Sequence, residues 1–176
     1  IGAAYVVFGH ADATQPGGQS FSNLDVTDLT GTSGFSFTDS ARGNNSATAY
    51  VGAAVSIGGD VDGDGFDDLV VGAPGQNFER NGVFEYDGEA YVIFGRSDFS
   101  GNPEVQVNEL DGTNGFALTG LVGQQAKTGQ SVSSGGDVNG DGVDDFVIGA
   151  PSDGNGLGTS AAGRAYVVYG KTGANF

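Results

Sequence analysis

The chain has 176 residues, enough for one domain or a few repeat units, and its 34 glycines lack the three-residue period of collagen. Its 22 acidic residues outnumber 6 basic ones, and a formal charge of −16 argues against nucleic acid as a partner. The absence of cysteine excludes disulfides and thiolate metal sites, and no apolar run approaches the roughly 20 residues of a transmembrane helix.

Short apolar runs with β-type composition, separated by glycine-rich turns, predict an all-β fold. The chain opens on a strand rather than on a methionine, which indicates a processed or excised piece. The same few runs return in one order, so the fold is built from repeats. In chain order the predicted core strands are 5–8, 35–38, 54–57, 69–71, 91–94, 116–119, 131–133, 146–148 and 166–169.

Each full repeat contains four strands, which is typical of a β-propeller blade. The second strand of a repeat is predicted to stop at Gly-Ala-Pro, at 72–74 and 149–151. We expect one propeller segment over 1–176 with about two and a quarter four-stranded antiparallel blades. It divides into a partial blade with third and fourth strands at 1–50, a complete blade at 51–126 and a partial blade at 127–176.

Two acidic loops lie between the first and second strands of a repeat, at 60–68 and 137–145. Calcium prefers about six to eight oxygen ligands, and alternate residues of a curled loop can point inward together. Glycine at position six, Gly65 or Gly142, permits the sharp turn. We therefore predict two Ca2+ sites.

The predicted ligands are the side chains at positions one, three, five and nine and the carbonyl at position seven. They are Asp60, Asp62, Asp64, Asp68 and Phe66 in the first loop, and Asp137, Asn139, Asp141, Asp145 and Val143 in the second. The first loop has one more carboxylate, so we expect it to bind calcium more tightly. Asp67 and Asp144, at position eight, are expected to face solvent or to brace the turn.

Two alternatives to these calcium loops follow from the residues. A metal-free, Asx-rich turn would explain the acidic clusters, although crowded carboxylates repel each other. An EF-hand is excluded because position twelve is Val71 or Ile148, where that loop requires a bidentate glutamate.

The combined pattern resembles the FG-GAP repeats of integrin α-subunit propellers and of bacterial surface proteins. The FG element stands at 8–9 and 94–95, with Tyr169-Gly170 as a variant, and the GAP element at 72–74 and 149–151. The resemblance implies propeller blades with calcium bound between first and second strands. It also implies an extracellular or cell-surface location and a role in adhesion or recognition.

No constellation of residues in the sequence points to catalysis, so a non-enzymatic protein is expected. His10 is the only histidine, and it follows a strand, as a surface-loop residue would. Gly-x-Ser-x-Gly and phosphate-binding loops do not occur in the sequence. Asn44-Asn45-Ser46 fits a weak glycan-acceptor pattern.

The sequence therefore predicts a calcium-stabilised propeller module that acts in adhesion or as a structural unit of a surface assembly. The expected partners are further copies at open blade edges, a protein bound by the variable loops 77–88 and 153–163, or a glycan. The alternative is an accessory or carbohydrate-binding propeller of a carbohydrate-active protein.

Overall fold

The structure is a computed structural model that describes residues 2–9, 25–40, 49–75, 78–80, 83–85, 87–119, 126–153 and 162–173. His10, the glycan acceptor at 44–46 and most of the variable loop 153–163 lie outside the described residues.

Within the described residues the chain forms β-strands and two short 3₁₀-helices, at Val26–Asp28 and Val107–Glu109, and no α-helix. These described ranges contain no candidate membrane-spanning helix. The strands are β1 (Ala3–Val7), β2 (Gly34–Thr38), β3 (Ala54–Ile57), β4 (Leu69–Ala73), β5 (Phe78–Arg80), β6 (Val83–Glu85), β7 (Glu89–Ile93), β8 (Glu104–Gln106), β9 (Gly115–Thr119), β10 (Ser131–Ser134), β11 (Phe146–Ala150) and β12 (Arg164–Val168).

The central sheet is a four-stranded antiparallel blade with the order β3-β4-β7-β9. Val71 of β4 pairs with Tyr91 of β7, which in turn pairs with Ala117 of β9. Every residue of β4 and β7 is buried because both faces of this sheet are covered, which explains their continuous apolar sequences. The predicted all-β fold of propeller blades is confirmed.

Two further sheets flank the central blade. One has the order β1-β2-β8 and the other β10-β11-β12, so β1 and β12 are edge strands among the described residues. The boundaries predicted for the blades, at residues 50 and 126, remain a prediction.

Three short strands were not predicted from the sequence. β5 and β6 pair antiparallel within the variable loop 77–88. β8 leaves the central blade between β7 and β9 and pairs in parallel with β2 of the neighbouring sheet. These strands escaped prediction because three residues carry too little periodicity to be recognised.

The second strands also extend further than predicted. Gly72 pairs with Ala90 and Ala73 with Glu89, and Ala150 pairs likewise with Arg164. The expectation that Gly-Ala-Pro stops the strand at its glycine was wrong, because glycine and alanine both retain the N–H that a ladder requires. Only the proline lacks it.

The core consists of two apolar clusters, one at each interface between the central blade and a neighbouring sheet. Phe35 stacks on Phe99 in the first cluster, with ring centroids 3.9 Å apart, and Phe37 packs against Tyr91 at 5.2 Å. Phe146 and its neighbours form the second cluster against the opposite face of the blade. Packing of blades face to face brings the acidic loops of adjacent blades together.

Candidate metal centre

The first acidic loop, between β3 and β4, curls around the carboxylate of Asp60. Asp60 Oδ1 accepts hydrogen bonds from the backbone N–H groups of Gly63 (2.7 Å) and Asp64 (2.9 Å), and Oδ2 accepts one from Gly65 (2.9 Å). Gly63 and Gly65 have φ of 77° and 94°, values at which a side chain would be strained. The residue at position one therefore organises the loop.

The second loop, between β10 and β11, repeats this network. Asp137 accepts hydrogen bonds from the N–H groups of Gly140 (2.6 Å), Asp141 (3.0 Å) and Gly142 (2.8 Å). These bonds favour the ionised form and hold the pKa of Asp137 below its usual value. The same sequence pattern thus gives the same local geometry twice.

Position nine closes each loop onto the end of the third strand. Asp68 is buried and accepts hydrogen bonds from the N–H groups of Val61 (2.8 Å) and Gly95 (2.7 Å). Its counterpart Asp145 accepts them from Val138 (2.8 Å) and Gly170 (2.9 Å). The last carboxylate of each loop is therefore fixed by two backbone donors.

The first loop gathers carboxylates in a way that suits a hard cation. One oxygen from each of Asp60, Asp62 and Asp68 lies within 4.8 Å of the other two. Burial raises the pKa of Asp68 to about 7 and, with smaller contributions from neighbouring carboxylates, also raises that of Asp62. A divalent cation would offset the cost of holding these charges together, and oxygen donors are those that calcium prefers. The first-loop residues fit the ion.

Asp64, the predicted ligand at position five of the first loop, is not part of this group of three. Asp64 is exposed, and its Oδ1 accepts a hydrogen bond from the N–H of Phe66 at 2.8 Å. The Asp64 carboxylate and the Phe66 carbonyl therefore remain ligands predicted from the sequence pattern.

The second loop shares the hydrogen-bond plan but does not show the same cluster. Among the described residues, only the first loop brings three acidic side chains within that distance. Asn139 replaces a carboxylate at position three, and its Nδ2 donates to Asp141 Oδ2 at 2.8 Å. Val143, at position seven, is buried, whereas Phe66 is 43% exposed. The tighter first site remains a prediction, and the missing carboxylate supports it.

The two residues at position eight differ in their surroundings. Asp67 is exposed, as expected of a bystander. Asp144 is half-buried and braces its own loop by accepting a hydrogen bond from the N–H of Gly136 (3.2 Å). It also accepts one from the N–H of Asp60 in the first loop (3.1 Å), a contact that sequence reasoning missed. Nothing in the sequence signals a contact between residues so far apart.

Comparison with known proteins gives a consistent result. The family model described as "FG-GAP repeat" matches residues 51–93 and 128–168. Integrin alpha-PS2 of Drosophila melanogaster is 36% identical over 112 residues, which cover 63% of this chain and 7% of that protein. Integrin alpha-4 of Xenopus laevis is 32% identical over 129 residues, which cover 73% and 10%.

One of the relatives is named as an enzyme rather than as an integrin subunit. Phosphatidylinositol-glycan-specific phospholipase D of Mus musculus is 37% identical over 117 residues, covering 66% of this chain and 12% of that protein. The match thus spans between 7% and 12% of the length of these three relatives.

Proposed function

Because this chain carries FG-GAP repeats and is homologous to integrin α subunits, we propose that it is a calcium-stabilised propeller module acting in adhesion or surface assembly outside the cell. The observation that carries the proposal is the group formed by Asp60, Asp62 and Asp68, whose oxygens lie within 4.8 Å of one another. Homology to integrin α subunits supports the adhesive role and the location.

In this proposal calcium acts structurally at both loops. The ion supplies positive charge that neutralises the clustered carboxylates. The chain holds each loop ready for it, because Asp60 and Asp137 order the turn and Asp68 and Asp145 join it to the third strand. The proposed ligands are those predicted from the sequence, namely Asp60, Asp62, Asp64, Phe66 and Asp68, then Asp137, Asn139, Asp141, Val143 and Asp145.

Extracellular calcium modules often have dissociation constants of about 10⁻⁴–10⁻³ M, a range that matches millimolar calcium outside cells. An ion that binds only the folded chain stabilises it by mass action. The folded module would then be more stable outside the cell than in compartments where calcium is scarce.

Calcium titration by native mass spectrometry and calorimetry tests the proposal. We expect two ions on the unmodified chain. Asp64→Ala should lower the calcium affinity of the first site at least about tenfold, because loss of even an outer-shell partner of a metal ligand typically costs that much. Asp67→Ala is the matched control, since it removes an exposed acid from the same loop. A chain that binds no calcium, or equal effects of the two variants, would contradict the assignment of the first-loop ligands.

We further propose that the partner is a protein ligand or a second copy of the chain. The variable loop 77–88 with its antiparallel pair of strands, β5 and β6, supports the first case, and the edge strands β1 and β12 support the second. Light scattering across a concentration series separates them, because only self-association raises the mass of the isolated chain.

A second candidate is an accessory propeller within an enzyme, including a carbohydrate-active one. The resemblance to a phospholipase D supports it. This module itself would remain non-enzymatic in either case. Specific glycan binding that the calcium-loop variants leave unchanged would favour the carbohydrate-binding version, and its absence would favour adhesion through protein.

A further inference from the structure

The two candidate calcium loops touch each other across the interface between their blades. The N–H of Asp60, position one of the first loop, donates to Asp144 Oδ2 at 3.1 Å. In the opposite direction the N–H of Asp144 donates to the carbonyl oxygen of Asp60, also at 3.1 Å. Asp144, at position eight of the second loop, is therefore hydrogen-bonded to both the N–H and the carbonyl of Asp60, at position one of the first loop.

The segment that follows β12 makes further backbone hydrogen bonds to the beginning of the first loop. The N–H of Lys171 donates to the carbonyl of Val61 (2.8 Å), and that of Gly173 donates to the carbonyl of Asp62 (3.2 Å). Val61 is completely buried, whereas its counterpart Val138 in the second loop is 67% exposed. The beginning of the first loop is thus held by its neighbour, and the beginning of the second is open to solvent.

Asp144 is well placed to hold the first loop because both its oxygens are committed. Oδ2 accepts from Asp60 of the first loop and Oδ1 accepts from Gly136 of its own loop, at 3.2 Å. Any displacement of the second loop would therefore be transmitted to Asp60. Asp60 in turn accepts the three hydrogen bonds that curl the first loop.

We propose that Asp144 is a positioning residue for the first calcium site and couples the two sites, so that calcium in the second loop raises affinity in the first. The inference rests on the proposed function, since it requires that both loops bind calcium. Calcium bound at 137–145 would order the loop that carries Asp144, which lowers the cost of ordering Asp60. By linkage, calcium in the first loop raises affinity in the second by the same factor.

The chain supplies a matched control for charge. Asp67 occupies position eight of the first loop, is exposed, and accepts no side-chain hydrogen bond within the described part of the chain. Asp67→Ala and Asp144→Ala each remove one carboxylate close to the first site. A general electrostatic effect would weaken binding in both variants, whereas the positioning effect belongs to Asp144 alone.

The first experiment measures first-site affinity by calorimetry in a background in which Asp141→Ala disables the second site. We expect Asp144→Ala to weaken calcium binding at least about fivefold more than Asp67→Ala, the lower end of common coupling energies. Asp144→Asn retains one acceptor oxygen and should fall between. Equal losses from Asp144→Ala and Asp67→Ala would overturn the positioning role. Thermal melts in chelator identify any variant that fails to fold, and Asp144→Asn then carries the comparison.

The second experiment measures the coupling by native mass spectrometry. For the unmodified chain we multiply the association constants of the first and the second calcium ion. This product should exceed the product of the two association constants measured in the single-site variants Asp64→Ala and Asp141→Ala. In the Asp144→Ala background the two products should agree. If the unmodified chain binds two ions but its product equals that of the single-site variants, the coupling is overturned and the proposed function still stands. An unmodified chain without bound calcium would overturn both.

Discussion

At the scale of single residues, the glycine of the FG element connects the metal loop to the third strand. The N–H of Gly95 donates to Asp68, and that of Gly170 donates to Asp145. A Cβ at Gly95 would lie 2.4 Å from the carbonyl oxygen of Asp67, and one at Gly170 would lie 2.2 Å from that of Asp144. Close approach of the backbone, rather than an unusual φ, therefore requires glycine there.

Substituting alanine for these glycines should destabilise the protein. For Gly95→Ala and Gly170→Ala we expect a loss of about 1–3 kcal/mol in the free energy of unfolding, because the loop must shift to admit the methyl group. Gly9→Ala is the control, since it changes the same motif position where a Cβ would meet nothing within 4 Å. Chemical denaturation measures all three, and a Gly9→Ala loss as large as the others would refute this explanation.

At the scale of elements, the segment from Arg96 to Glu109 joins the central blade to the first sheet. Within it, β8 pairs with β2, and Thr38 Oγ1 donates to Glu104 Oε1 at 3.1 Å. Phe99 is buried against Phe35, with ring planes only 6° apart. The side chain of Arg96 lies over the outer face of Phe99, 4.1 Å from the ring centroid. This segment makes the two sheets one packed unit.

Removal of the Phe99 ring should loosen the first sheet selectively. Phe99→Ala is expected to cost about 3–5 kcal/mol, the usual range for a buried phenylalanine. Arg96→Ala, which removes the cation–π contact and the hydrogen bond from Arg96 Nε to the Asp98 carbonyl oxygen (3.1 Å), should cost about 0.5–2 kcal/mol. In hydrogen exchange, Phe99→Ala should reduce protection of β1 and β2 more than that of β10–β12. A uniform loss across all sheets would contradict the role given to this segment.

At the scale of the whole molecule, charge sets the conditions under which the fold is stable. The formal charge is −16, and the loops 60–68 and 137–145 concentrate carboxylates at the edges of adjacent blades. Such self-repulsion weakens the compact state. Bound cations and screening by salt both relieve it, but only bound calcium also fixes the loops.

Calcium removal should therefore lower the melting temperature. Each site adds about 2.7 kcal/mol at a calcium concentration a hundred times its dissociation constant, and 1 kcal/mol corresponds to about 2–4 °C for a domain of this size. Magnesium at the same concentration is the control for screening, because it prefers a smaller octahedral site. A melt that chelator leaves unchanged, or that magnesium restores fully, would contradict structural calcium.

Much of the fold was accessible from the sequence because its signals are local. The core strands are β-type runs bounded by turns, and the all-β fold of blades follows from their repetition. The hydrogen bonds of Asp60 to Gly63, Asp64 and Gly65 close within a few residues, so a pattern along the chain can specify them. The position of each acidic loop between first and second strands is local in the same sense.

What only the tertiary structure decided depends on how blades stack. Two contacts join residues far apart in the chain: the hydrogen bond between Asp60 and Asp144, and the pairing of β8 with β2. The stacking of blades also buries Val61 and leaves its counterpart Val138 exposed. Identical motif positions receive different neighbours at an inner and an outer blade face, and no sequence period records which face is covered. The sequence by itself determined the loops and their strands, and the packing of blades decided which loop braces the other.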